Sequence, residues 1–157
     1  QSTLQYYWVT PLSGYGKPQL DVKLSDVLST TYNIYVVLAP SKDYGKDADG
    51  NEFRKPNQLD FTLSYCDAKG KLQTKKLNQK VVNNPNKVDT VAVGSFTFPV
   101  AYYGLGKKIY PNLKITTDFG VFNSAMMAKY TRDFRIISIL MKPAEMEEFE
   151  ANATKEN

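Results

Sequence analysis

Apolar and polar positions alternate along most of this chain with a period of two. That is the spacing of a strand with one face in a core and the other toward water. Residues 58–66, QLDFTLSYC, show it most cleanly: Leu59, Phe61, Leu63 and Tyr65 share one face, Asp60, Thr62 and Ser64 the other. Asp67-Ala68-Lys69-Gly70 follows, and Gly70 can take the positive φ that closes a short hairpin loop. Residues 71–77, KLQTKKL, then return as a polar, lysine-rich strand of the kind found at a sheet edge. Residues 31–39, TYNIYVVLA, place Tyr32, Ile34, Val36 and Leu38 on one side and Tyr35 and Val37 on the other, the pattern of a central strand covered on both faces. Pro40 ends it, because proline has no N–H for the ladder.

Residues 88–100 read as two short strands around Gly94-Ser95, where a bulge or corner would let one strand change sheets. Residues 113–118 form another strand. Residues 132–141 form a long final one, with Phe134, Ile136 and Leu140 on one face and Ile137, Ile139 and Met141 on the other. Two more strands are expected over 4–10 and 19–24. Helical spacing is nearly absent. Residues 124–129 (SAMMAK) suit one helical turn, and 144–153 offer helix formers with only Met146 and Phe149 as anchors, so a frayed helix or disordered tail is expected there. The pattern predicts an all-β fold: an antiparallel two-sheet β-sandwich, jelly-roll or immunoglobulin-like, of seven to nine strands. The sandwich spans 1–143 and an acidic tail 144–157. Three connections, 40–57, 78–87 and 101–112, exceed what a hairpin needs, and long loops on a rigid sandwich are where binding concentrates.

The length of 157 residues fits one domain with a real core. With 42% hydrophobic and 23% charged residues, wholesale disorder and coiled-coil structure are excluded. No apolar run approaches the roughly 20 residues of a membrane-spanning helix. The chain begins at Gln1 with no charged-then-apolar leader, so the expectation is a piece of a longer product with its targeting signals upstream.

Charge and missing residue types narrow the chemistry. The net charge is +4, but residues 144–157 hold five Glu and one Lys, so the 20 basic and 16 acidic residues leave 19 against 11, or +8, in the body. Of the 20 bases in the whole chain, seventeen are scattered lysines and only three are arginines, so no nucleic-acid partner is expected. The absence of His removes the commonest general base and metal ligand, and Cys66 alone can build neither a zinc site nor an internal disulfide. Cys66 ends an apolar run and reads as a part-buried structural thiol. Paired carboxylates are the remaining acid–base machinery, and five of six Glu crowd into the last fourteen residues. No Asp pair has a recognisable setting, so the expectation is a protein that is not an enzyme.

Two constellations carry candidate binding chemistry. The loop from Asp43 to Glu52 bears Asp43, Asp47 and Asp49, and hard cations such as calcium want closely spaced oxygens. Asp47, Asp49 and Gly50 fit positions three, five and six of an EF-hand loop, but Gly45 and Pro56 fall on positions one and twelve, where carboxylates are needed. Asp-Gly-Asn is equally ordinary turn chemistry. The aromatics are the second: Tyr6, Tyr7 and Trp8 are consecutive, so they cannot all be buried on one side of a strand. Tyr44 and Tyr110 sit in or beside loops, Tyr102 and Tyr103 are adjacent, and with Trp8 these are the candidate platform for the flat apolar face of a sugar, although rings also simply fill cores.

Three runs, LSDVLSTTYNIYVVLAP (24–40), VDTVAVGSFTFP (88–99) and KYTRDFRIISILMKP (129–143), resemble a β-sandwich module of fasciclin-domain-containing surface lipoproteins of Bacteroidetes. The resemblance lies in segment texture over most of residues 20–143 and brings no functional residues with it. It implies an exported protein at the outer-membrane surface of a Gram-negative cell, held only through an upstream lipid anchor. It also implies an adhesion or glycan-handling role, with a glycan or cell-surface protein as partner. The alternative is a structural spacer or assembly domain without a ligand, touching only neighbouring domains of its own polypeptide.

Overall fold

Strands form where β-branched and aromatic residues alternate with polar ones. The computed structural model describes residues 7–9, 18–24, 26–101, 110–117 and 122–148. Within them lie β1 (Tyr7–Val9), β2 (Gln19–Lys23), β3 (Thr31–Leu38), β4 (Tyr44–Lys46), β5 (Glu52–Arg54), β6 (Gln58–Cys66), β7 (Leu72–Lys76), β8 (Val81–Val82), β9 (Asp89–Thr97), β10 (Asn112–Thr117) and β11 (Phe134–Pro143), with the helix α1 (Ser124–Lys129). A further helical turn covers 144–148. The fold is all-β. One sheet has the order β1-β11-β3-β9, the other β2-β10-β6-β7 with β8 also against β6, and β4-β5 form a separate ribbon. Each of these pairings is antiparallel.

The two main sheets share one core. Ile34, Val36 and Leu38 of β3, Val93 of β9 and Ile136 of β11 meet Leu59, Phe61 and Leu63 of β6 and Leu113 and Ile115 of β10, each at most 1% exposed. Burying one such side chain is worth about 1.5–3 kcal/mol, so this interior sets the strand register. Tyr65 packs at its rim, its ring 4.7 Å from that of Phe96. Cys66 is buried at the end of β6. The outer face of β3 is half-covered: Glu147, on the turn over 144–148, accepts from Asn33 Nδ2 at 2.7 Å and from the Tyr35 hydroxyl at 3.0 Å.

Two β-bulges alter the expected strand faces. Residues 89–97 form one strand against β3, where two strands and a change of sheet were expected. Ile34 pairs with Gly94 and Tyr35 with Ala92, so Val93 is the extra residue, and the strand stays in its sheet. In β11, Ile136 pairs with Leu38 and Ser138 with Val37, leaving Ile137 without a partner. The face alternation therefore slips by one: Ile139 and Met141 pack on the core, while Leu140 pairs with the outward-facing Tyr35. The expected grouping of Leu140 with Phe134 and Ile136 is corrected accordingly.

The long connection 40–57 contains the β4-β5 hairpin, and 78–87 contains β8, strands of two or three residues that are too short to show in the alternation. The hairpins β4-β5 and β6-β7 close with the same turn. Asp47 and Asp67 hold equivalent places: Gly50 N donates to Asp47 O and Gly70 N to Asp67 O, at 3.0 and 2.9 Å. Gly50 and Gly70 take φ of 80° and 82°, the left-handed conformation that follows a type I turn in a three-residue hairpin loop.

Candidate functional site: a polar cleft at one end of the sandwich

The carboxyl end of β3 and the amino ends of β6 and β11 lie together at one end of the sandwich, where chain that has left the ladders must satisfy its own polar groups. Asn57 and Thr131, each 4% exposed, form the anchor. Asn57 Nδ2 donates to the carbonyls of Thr131 and Asp133 at 2.9 and 2.8 Å, and Asn57 N donates to Asn83 Oδ1 at 2.8 Å. Thr131 N donates to Pro56 O, its hydroxyl donates to the Asp43 carboxylate, and Asp133 N donates back to that hydroxyl at 3.2 Å. The ribbon β4-β5 is thereby tied to the strand that enters the core at Phe134.

All three arginines of the chain are drawn to this end. Arg54 Nη1 donates to Ser41 O at 2.5 Å and Arg135 Nη2 to Pro40 O, so two guanidiniums hold consecutive carbonyls of the segment leaving β3. The Arg132 guanidinium lies over the Phe122 ring, 4.6 Å from its centroid. Helix α1 closes the side. Asn123 caps it by accepting from Met126 N at 3.0 Å, and Lys55 Nζ donates to Met127 O at 2.6 Å. Lys129 in the last turn complements the helix dipole.

These elements enclose two adjoining spaces. A cavity of about 30 Å³ beside Asp43 and Asp133, bordered by polar Ser41, Asn57, Thr131 and Arg135 and by apolar Ala39, Pro40 and Phe134, has room for about one or two waters. In front lies an open cleft of about 250 Å³, lined by Asp43, Lys55, Phe122, Met127, Tyr130 and Arg132, with Thr131 and Asp133 at its base. Burial pushes the Asp133 carboxyl above the usual carboxylate range, and the negative charge of Asp43 pushes it further, against the pull of Arg132. The Asp133 carboxyl therefore senses the charge of Asp43 in a partly desolvated space.

The expected site residues are dispersed relative to this cleft. Asp43 lies in its wall. Asp47 Oδ1 accepts from the backbone N–H groups of Asp49 and Asn51, both at 2.9 Å, so its carboxylate closes the hairpin turn. Asp43, Asp47 and Asp49 are not brought together as a ligand set, and among the described residues no group of three His, Cys, Asp or Glu is placed to hold a metal ion. Tyr44 is 46% exposed on the ribbon, with the Arg54 guanidinium 4.8 Å from its ring centroid. Tyr110 stands at the opposite end, beside the start of β10, with Lys23 Nζ 4.1 Å from its ring. The backbone of Trp8 pairs with Arg135, its side chain lies outside the described residues, and so do Tyr102 and Tyr103.

Sequence reasoning missed Asp133, Arg132, Lys55, Tyr130 and Phe122. The available signal was compact: two of only three arginines flank Asp133 in Arg132-Asp133-Phe134-Arg135. No family model, no curated protein and no solved structure matches this chain.

Proposed function

We propose that this chain is a non-catalytic binding module, exported and displayed at a cell surface, that takes a glycan in the cleft between β4-β5 and α1. One observation carries the reading: an open space of about 250 Å³ is walled by the Tyr130 and Phe122 side chains and by the polar groups of Asp43, Lys55, Arg132 and Asp133. Sugars need both kinds of surface, flat apolar contact for their C–H faces and fixed polar groups for their hydroxyls. A rigid sandwich with its polar loops tied down by Asn57 and Thr131 holds those groups in place before the ligand arrives, which lowers the ordering cost of binding. The surface setting is supported by the texture of residues 20–143, and attachment would be through a lipid anchor upstream.

The test is a glycan array probed with the purified chain and with Tyr130→Ala and Asp133→Asn. Retention of a defined glycan set that both substitutions abolish, and that Lys76→Ala on exposed β7 leaves intact, is the expected result. An array without retained glycans, or retention that ignores the cleft substitutions, overturns the reading.

Asp43 and Asp133 sharing the cleft favours a second reading, because paired carboxylates are the minimum equipment for glycoside hydrolysis. Under it, Asp133 would protonate the leaving oxygen. Recovering the retained glycan after prolonged incubation separates the two: an unchanged chain length supports binding alone, a shortened one supports hydrolysis.

A further inference from the structure

We infer that copies of this chain join head to tail, the acidic helical turn over 144–148 of one copy docking on the lysine-rich outer side of β7 in the next. The inference is independent of the cleft and of what the cleft binds.

Charge is segregated along the chain. Residues 144–157 carry five Glu and one Lys, or −4, on a body of +8. The turn over 144–148 lies on the outer face of the sheet that holds β3, and Glu147 pins it there. Its carboxylate accepts from Asn33 Nδ2 and the Tyr35 hydroxyl and stands 3.9 Å from Lys142 Nζ. A turn anchored through its polar side presents another side to solvent. Met146, about 100° around the helix from Glu147, is 56% exposed, with Glu145 and Glu148 exposed beside it. Residues 67–80 show the opposite arrangement. They carry five Lys against Asp67 alone, and Leu72 among them is 57% exposed. Just past β7, Leu77 packs on the core, so by strand alternation Leu72, Thr74 and Lys76 point outward, opposite Cys66, Ser64 and Thr62 of β6.

An apolar residue flanked by carboxylates and another flanked by ammonium groups are complementary. The apolar pair supplies a buried anchor, and the opposite charges supply its rim and its orientation. The two surfaces lie on the outer faces of opposite sheets, so a chain whose turn is pinned by Glu147 cannot bring it to its own β7. The match is therefore between copies. A contact between unlike surfaces is heterologous: each pair leaves one turn and one β7 uncovered, ready for further copies. A plain polyanion would satisfy the lysines, but it offers nothing to Leu72 and leaves the exposure of Met146 unaccounted for.

Sedimentation analysis of the whole chain tests this. At about 0.1–1 mM, where so small a contact holds, the average mass should climb past that of a pair as concentration rises. It should fall back to that of a single chain in salt of about 1 M, where charges are screened within about 3 Å. Met146→Lys and Leu72→Glu should each weaken association by at least about tenfold, with circular dichroism confirming that both fold. Mixed in equal amounts, the two variants should form a species of two chains and nothing larger, because only the turn of Leu72→Glu and the β7 of Met146→Lys still match. A parent chain that stays single at every concentration, or that stops at a pair, overturns the inference, and so does a mixture of variants that forms no pair. A glutamate-rich peptide that binds the parent chain through Leu72 while the chain itself stays single assigns the surface to another acidic partner and overturns it equally.

Discussion

Asn78 N donates to the carbonyl of Val93 at 2.9 Å, a bond that links the edges of the two sheets. It exists because Val93 is the bulged residue of β9. Asn78 O meanwhile accepts from Phe61 N at 3.2 Å, so a single peptide segment spans from β6 to β9. Asn78 Nδ2 adds a bond to Ala92 O at 3.0 Å.

Gly94 supplies the backbone conformation next to that bond. Its φ is 139°, a conformation most side chains avoid, and a Cβ there would lie 3.4 Å from Leu77 Cβ. Gly94→Ala should therefore destabilise the fold by about 1–3 kcal/mol, the usual cost of such backbone strain. For a chain of this length, each kcal/mol lowers Tm by roughly 2–4 °C. Gly50→Ala, where φ is also positive but a Cβ meets nothing within 4 Å, should cost less. A Gly94→Ala melt no lower than that of Gly50→Ala would mean that the Leu77–Gly94 contact contributes nothing.

The bulge at Ile137 yields a second test. Ile139 pairs with inward-facing Val36 and Leu140 with Tyr35. Ile139→Ala should cost about 2 kcal/mol, the low end for truncating an aliphatic side chain at a core margin, and Leu140→Ala less than half as much. Chemical denaturation of the two variants decides it. The reverse ranking would restore the uninterrupted alternation that the sequence suggests.

That alternation shows how far the fold was legible. Leu59, Phe61 and Leu63 could be assigned because β6 has an unbroken period of two between a proline-led entry and a glycine turn. Ile139 could not, since whether a strand bulges depends on its partner, and the composition of 132–141 suits either phase. The cleft was less legible still. Asp43 and Thr131 meet across 88 residues of sequence, and no local spacing encodes that pairing. Rarity was the usable clue: arginines so few, with two beside one Asp, mark a place where guanidinium geometry is needed.

Asp67 should titrate below the usual aspartate range. The Lys71 backbone N–H is the main cause, followed by the Gln73 amide, with burial opposing and the Lys69 N–H adding a smaller contribution. A carboxyl held low in the folded state stabilises the fold above its unfolded value, and that contribution disappears as pH falls through the lower folded value. Asp67→Asn should therefore lower the melting temperature at neutral pH and flatten its decline in acid. Carboxyl-carbon NMR titration reads the midpoint directly. A midpoint at or above that of an unstructured Asp would contradict the hydrogen-bonded turn.

Asp133 should behave in the opposite sense. Its carboxyl is held high, first by burial and then by the charge of Asp43, with Arg132 pulling against both. The folded state therefore holds this proton more tightly than the unfolded chain does. The favourable contribution is fully present below the unfolded value and is lost as pH rises through the raised folded value, leaving a residual penalty at neutral pH. Asp133→Asn keeps the shape and removes the charge, so it should melt higher than the parent chain at pH 7. The gap should close as the buffer is taken below the usual carboxylate range. Asp43→Asn should bring the Asp133 titration midpoint down, because the second cause of the shift is removed while burial remains. Should the Asp133 midpoint stay put in Asp43→Asn, the charge of Asp43 does not act on Asp133, and burial alone holds that carboxyl high.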